Sequence, residues 1–193
     1  MVERTSRRRV LALAGVTAAS LAGCVGGSDD ENSGDESDDG AGGSGGSSGG
    51  DRPAWQTATL EDVTTGEEFA LADFDRPVIL HTFATWCPKC RSQQENIDAF
   101  LQESDAAVAV DLTIDENDDP EALRQHADSN GFDWRFGVSP SSVTGDLVDE
   151  FGREMASAPQ SPVVIVCPDG ATTTIGKGAG PDRLAEAIES TCG

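Results

Sequence analysis

Pro77-Val78-Ile79-Leu80-His81-Thr82-Phe83-Ala84-Thr85-Trp86-Cys87-Pro88-Lys89-Cys90 is the stretch that decides the fold. Its first half is apolar and β-branched, the composition of a central strand buried on both faces. Its second half sets two cysteines three positions apart, and residues 91–102 follow with Ile97, Phe100 and Leu101 on one helical face. A buried strand therefore runs straight into a helix that begins at the cysteines.

A pair spaced this way is either half of a zinc site or a dithiol redox centre. Structural zinc takes four ligands, and the other candidates, Cys167, Cys192, His81 and His126, are each isolated in sequence. No metal site is expected, and no cofactor beyond a redox-active Cys87–Cys90 disulfide. A helix N-terminus stabilises a thiolate through its free N–H groups and dipole, lowering a thiol pKa from about 8.5 into the range of roughly 3.5 to 7.5. Cys87, the first of the pair, is expected to be the exposed nucleophile. Cys90, one turn later, would attack the mixed disulfide and release the partner. Lys89 adds a nearby positive charge, or is a solvated helix residue.

Outward from this centre the chain alternates between periods of two and of 3.6. Short strands are expected over residues 57–63 and 68–71 around a turn at Thr65-Gly66, forming an N-terminal hairpin. Residues 106–114 form another buried strand, and Asp119-Pro120 opens a helix running to about Ser129. A short extended segment at 134–138 precedes a helix over 143–151 that Gly152 ends. Residues 162–166 and 172–175 flank Pro168-Asp169-Gly170 as an antiparallel hairpin, and residues 181–191 close the chain as a helix with Leu184 and Ile188 inward. The class is α/β, a central mixed sheet flanked by helices.

With these elements in place, Phe83-Ala84-Thr85-Trp86-Cys87-Pro88-Lys89-Cys90 resembles the active-site segment of thioredoxin-like proteins, especially exported thiol-disulfide oxidoreductases of the TlpA/ResA type. The N-terminal hairpin, the insertion-bearing stretch between Asp115 and Gly152, and Ser161-Pro162-Val163-Val164-Ile165-Val166 before Asp169-Gly170 also fall in that family's order. The resemblance implies a thioredoxin fold, with Trp86, Pro88 and Lys89 flanking the cysteines. Pro162 matches the family's cis-proline, which exposes the preceding backbone to a partner chain; its plain alternative is a trans strand-starter. Position and spacing favour cis. The residues leave donor and acceptor roles both open, and the resemblance leans towards a reductant acting on protein disulfides or thiols; the chain is expected to be a monomer. Its partners would be apocytochrome c in cytochrome c maturation or proteins with metal sites under assembly, and a membrane donor would supply its electrons.

One residue departs from that pattern. Where thioredoxins carry a buried Asp, six residues before the first cysteine, this chain has His81. Buried behind Cys90, it could relay the proton that disulfide resolution requires; equally, it could be a core histidine satisfied by a backbone carbonyl. His126, on a helix after Leu123, reads as a surface residue. Two other classes share features of the chain. Copper-delivery proteins of the SCO type space their cysteines by three residues and place a His before the strand that begins here at Pro162. This chain has two spacers and Ala158-Pro159-Gln160-Ser161 there. A peroxiredoxin would carry Thr where Ala84 stands.

Residues 1–23 have the order of a secretion signal, a basic segment followed by apolar residues 10–22. That apolar run is too short to span a bilayer, which takes about 20 residues. Ser6-Arg7-Arg8-Arg9-Val10-Leu11 resembles a twin-arginine export signal, and Leu21-Ala22-Gly23-Cys24 resembles a lipobox, which makes Cys24 the lipidated first residue of the mature chain. Two acyl chains there would anchor the protein stably. Residues 25–50 are almost wholly Gly, Ser, Asp, Glu and Asn, a composition that cannot bury a core. They are expected to be a tether reaching roughly 25–30 Å, holding a domain at residues 51–193 off the outer face of the cytoplasmic membrane.

The formal net charge is −22. Residues 51–193 alone carry 27 acidic and 9 basic side chains, a net charge of −18. Nucleic acid is excluded as a partner on these grounds. Only Lys89 and Lys177 are lysines, and abundant Asp with so little Lys reads as adaptation to molar salt, in which the Debye length falls to about 3 Å. Two cysteines are left over. Cys167 ends the first strand of the terminal hairpin and Cys192 ends the last helix, so both should meet at one edge of the domain, where an exported compartment permits a disulfide; the alternative is two buried, inert thiols.

Overall fold

The computed structural model describes residues 52–193; the expected export signal, lipidation at Cys24 and tether fall outside the described residues. The central strand β3 (Val78–Phe83) is buried at all six positions. It lies in the middle of a five-stranded sheet whose order is β5-β4-β3-β6-β7, where β4 is Val108–Thr113, β5 Arg135–Val138, β6 Val163–Val166 and β7 Thr172–Ile175. Strands β3, β4 and β5 are parallel, and β6 and β7 join the other side antiparallel. Parallel neighbours need a crossover between them. Helix α2 (Pro88–Glu103) supplies the first and α3 (Pro120–Asn130) the second.

Helix starts and stops follow local chemistry. Asp119 caps α3 by accepting from Ala122 N at 2.8 Å, Pro120 sits in its first turn, and Gly131 ends it in the left-handed region at φ 73°. Helix α4 (Ser141–Phe151) and α5 (Pro181–Cys192) complete the layers. Alternation along β3 sends Leu80 into a cluster with Trp55, Leu112, Leu147 and Met155. Its neighbour Ile79 enters the opposite cluster, with Ile97, Phe100, Ile165 and Leu184. Among the described residues no helix is long and apolar enough to cross a membrane.

The expected N-terminal hairpin is shorter than its hydrophobic pattern suggests. Its strands are β1 (Leu60–Glu61) and β2 (Glu68–Phe69), two residues each, and residues 54–57 form a helical turn, α1 (Ala54–Thr57). Asp62 explains the early end of β1. Its carboxyl accepts from Thr64 N, Thr64 Oγ1 and Thr65 Oγ1 at 2.8–3.0 Å, and these local bonds compete with a ladder. The next donor, Val63 N, goes to Phe136 O of β5 instead, at 2.8 Å. In α1, Trp55 is buried, donates its indole N–H to Glu150 Oε2 at 2.6 Å and meets Phe151 edge-on at 5.6 Å, fastening the segment to α4.

Cys167 and Cys192 are joined as a disulfide, with Cα atoms 5.3 Å apart. Because β6 runs antiparallel to β3, this bond lies at the end of the sheet remote from Cys87. Gly170, at φ 94°, permits the tight turn that follows Cys167. The Cys167→Ser/Cys192→Ser variant is expected to lose about 3 kcal/mol in urea denaturation, the loop-closure entropy for a separation of 25 residues. Non-reducing peptide mapping should find the two peptides linked; two freely alkylated thiols in the oxidised, folded chain would contradict it.

Candidate active site

The turn between β3 and α2 is built so that Cys87 becomes the N-cap of the helix. Pro88 occupies the first helical position, where its missing N–H is not needed. Cys87 Sγ takes the place of a capping oxygen and accepts from Cys90 N at 3.2 Å. The loop after β4 holds the turn from outside. Asp118 accepts from Thr85 N (2.8 Å), Thr85 Oγ1 (2.5 Å) and Thr113 Oγ1 (2.7 Å). Trp86, 62% exposed, donates its indole N–H to Asp115. That bond, with help from Asn117, holds the Asp115 carboxyl below the usual carboxylate range. Pro88 and Lys89 are exposed beside it.

Cys87 and Cys90 form a disulfide. Cys87, expected to be exposed, keeps only 2% of its surface accessible, and Cys90 none. Both side chains pack in an apolar cluster with Phe83, Ala84 and Ala158, which is why the first cysteine does not stand free. Helix position, more than exposure, separates the two sulfurs: Cys87 faces the free N–H groups, and Cys90 lies inside the first turn.

Behind Cys90 stands a residue that the sequence reading passed over. Lys177, in the loop after β7, places Nζ 3.4 Å from Cys90 Sγ and 3.3 Å from Thr82 O, and it also donates to Ala158 O. Ala158 O itself lies 3.2 Å from Cys90 Sγ. Gln93 of α2 clamps the loop, accepting from Gly178 N at 2.6 Å and donating to Ala179 O at 3.0 Å. Burial lowers the Lys177 pKa to about 8; Asp111 opposes the shift and Lys89 adds to it. The one available signal was its rarity, a lysine between two glycines in a chain with only two lysines.

His81 is fully buried, and its partner is a carboxyl group rather than a backbone carbonyl. Parallel register sets it opposite Asp111, whose Oδ1 lies 2.6 Å from His81 Nδ1. Asp111 Oδ2 also accepts from Gln94 Nε2 (3.2 Å) and Trp134 Nε1 (2.7 Å). Among the described residues His81 Nε2 has no hydrogen-bond partner, and the ring bonds to neither cysteine. Burial pushes its pKa below 6.5, with Asp111 opposing. His126 is not the surface residue expected. It is half-buried against Phe83, at 5.3 Å between ring centroids, and its Nε2 lies 2.8 Å from Gln94 Oε1. The aromatic cluster of Phe83, Phe132 and Phe136 draws it inward.

Pro162 opens β6 beside the end of β3, but not as a cis residue: no peptide bond among the described residues is cis. Proline just ahead of a ladder loses no hydrogen bond there, and trans is the ordinary isomer. Ser161 secures the junction through Thr82, with its Oγ 2.5 Å from Thr82 Oγ1 and 3.2 Å from Thr82 O.

No protein-family model and no curated protein matches the chain. Solved structures do. An electron-transfer candidate from Aquifex aeolicus VF5 superposes with a TM-score of 0.56 at 22% identity, over 74% of this chain and 97% of that one. BsSco, a member of the Sco family of cytochrome c oxidase assembly proteins with a disulfide switch, gives 0.55 at 18%, over 69% and 90%. A secreted disulfide oxidoreductase of Mycobacterium tuberculosis, homologous to E. coli DsbE, gives 0.50 at 16%, over 69% and 95%. Sheet order, crossover helices and these likenesses agree that the chain has the thioredoxin fold, with its paired cysteines at the N-terminus of the first long helix.

Proposed function

We propose that the protein is an exported, membrane-tethered thiol-disulfide oxidoreductase that reduces disulfides of partner proteins through Cys87 and Cys90. The observation that carries this reading is the cap: Cys87 Sγ accepts the Cys90 N–H at the start of α2, where the same group and the helix dipole would stabilise a thiolate. In the reduced protein the Cys87 thiolate attacks a partner disulfide, forming a mixed disulfide and expelling one partner thiolate. Cys90 then attacks Cys87 Sγ, closes the disulfide and releases the second. Two electrons pass to the partner, and a membrane donor must restore the dithiol. Trp86, Pro88 and Lys89 form the surface that a partner would meet, with Pro162 at its edge. Cys24 supplies the lipid anchor outside the cytoplasmic membrane, after twin-arginine export, and the acidic composition suits concentrated salt. Apocytochrome c and proteins awaiting a metal are the partner classes favoured by the resemblance of residues 83–90 to exported oxidoreductases; BsSco, of similar fold, belongs to an oxidase-assembly family.

The test is to express the full chain as Cys90→Ala and separate membranes under non-reducing conditions. A covalent adduct that dithiothreitol reverses and that disappears in Cys87→Ala/Cys90→Ala is expected. The Cys24→Ala form should leave the membrane fraction. Absence of an adduct together with tight Cu(I) binding by the reduced protein would replace this reading with copper delivery.

A further inference from the structure

The dithiol chemistry leaves one problem unsolved. Cys90 is wholly buried, so when the disulfide is reduced its leaving thiolate must be protonated where water does not reach, and that proton must be removed again before Cys90 can attack. His81 does not answer this need, because it is hydrogen-bonded to Asp111 and to neither sulfur. From the contact of Lys177 Nζ with Cys90 Sγ and the two carbonyls that hold it, we infer that Lys177 is the acid and base of the resolving cysteine. This inference rests on the dithiol reading above.

The hydrogen-bond inventory fits both states. A lysine ammonium has three donors, and three acceptors surround Nζ: Thr82 O, Ala158 O and Cys90 Sγ. A neutral amine keeps two N–H donors for the two carbonyls and turns its lone pair toward the sulfur, where a thiol S–H can donate. In the oxidised protein Lys177 is the ammonium. When an incoming thiolate attacks Cys87 Sγ, the Cys87–Cys90 bond breaks, a bond from Cys87 to the attacking sulfur forms, and Cys90 leaves with the electron pair and takes the proton from Nζ. In the reverse sense the amine removes that proton. Cys90 thiolate then attacks Cys87 Sγ, the intramolecular disulfide forms, and the partner departs as thiolate. One proton moves back and forth between Nζ and Sγ, so the leaving thiolate is neutralised, and later regenerated, without water reaching Cys90.

The surroundings set Lys177 near the balance this exchange needs. Burial disfavours its charge, Asp111 on β4 favours it, and Lys89 on α2 disfavours it. His81 on β3 is neutral through its own burial and feels the Lys177 charge as a further lowering influence. The Gln93 clamp on Gly178 and Ala179 is the positioning device.

The experiment follows reaction of the full chain carrying Cys24→Ala, its Cys87–Cys90 bond reduced and its Cys167–Cys192 bond left intact, with 5,5′-dithiobis(2-nitrobenzoate), which releases one nitrothiobenzoate when Cys87 forms the adduct and a second when Cys90 resolves it. Lys177→Met is expected to leave the first release within about twofold and to slow the second about 100-fold near pH 7. The deficit should close toward pH 10, where the thiol ionises unaided. Lys177→Arg, charged but unable to take a proton, should be slow in the second phase too, and it carries the test if Lys177→Met does not fold. Equal second phases at pH 7, full rescue by Lys177→Arg, or a deficit that persists unchanged at high pH would each overturn the role of Lys177. Loss of the first release from the native chain would instead overturn the dithiol reading.

Discussion

Cys87→Ser is expected to reduce disulfide exchange by about a thousandfold or more, whereas Cys90→Ser should still form a stoichiometric adduct with a disulfide substrate. The asymmetry comes from the helix. Cys87 is the cap residue, and the Cys90 N–H points at its sulfur. A serine there keeps the cap hydrogen bond and therefore the fold, but its hydroxyl is not ionised near neutral pH and cannot replace a thiolate. Cys90 has no free helix donors and packs against Ala158 and Lys177, so it cannot stand in as first nucleophile. Turnover with insulin and intact-mass detection of the adduct check the two halves separately. Adduct formation by Cys87→Ser, or its loss in Cys90→Ser, would reverse the order of attack.

The second large effect is on stability. Asp111→Ala should cost about 3–5 kcal/mol in urea denaturation, because His81, Gln94 and Trp134 all direct polar groups at one buried carboxyl. Asp111→Asn should recover little, since an amide offers one oxygen where two are used. The same network makes the native chain sensitive to acid. Burial lowers the His81 pKa below its unfolded value of 6.5, so the unfolded chain binds the proton first as the pH falls. The stabilising contribution is complete above about pH 6.5 and is lost progressively below it. His126, lowered chiefly by burial, acts in the same direction. A smaller acid-induced drop of the urea midpoint in His81→Asn than in the native chain is the expected result; equal drops would remove His81 from this role.

Local chemistry made much of the architecture legible. The Val78–Phe83 strand, the Pro88, Pro120 and Pro181 helix starts, and the Pro168-Asp169-Gly170 turn all lie where period and capping residues indicate. The N-terminal hairpin was overestimated because Asp62 side-chain bonds cut the ladder short, a competition that hydrophobic alternation does not register. Trp55 lies ahead of the strand expected over residues 57–63, and its burial against α4 places it in a helical turn that no local pattern indicates.

At the site the division is sharper. The sequence by itself determined the setting of the pair, two cysteines at the start of a helix that follows a buried strand, because spacing and capping act over a few neighbouring residues. Tertiary structure alone decided what surrounds Cys90. His81 meets Asp111 across thirty residues and Lys177 meets Cys90 across eighty-seven. Contacts of that kind are set by strand register and loop packing, and no local pattern announces them. Hence the residue with the best-placed name, His81, turns to a carboxyl, while an unremarked lysine between two glycines touches the sulfur.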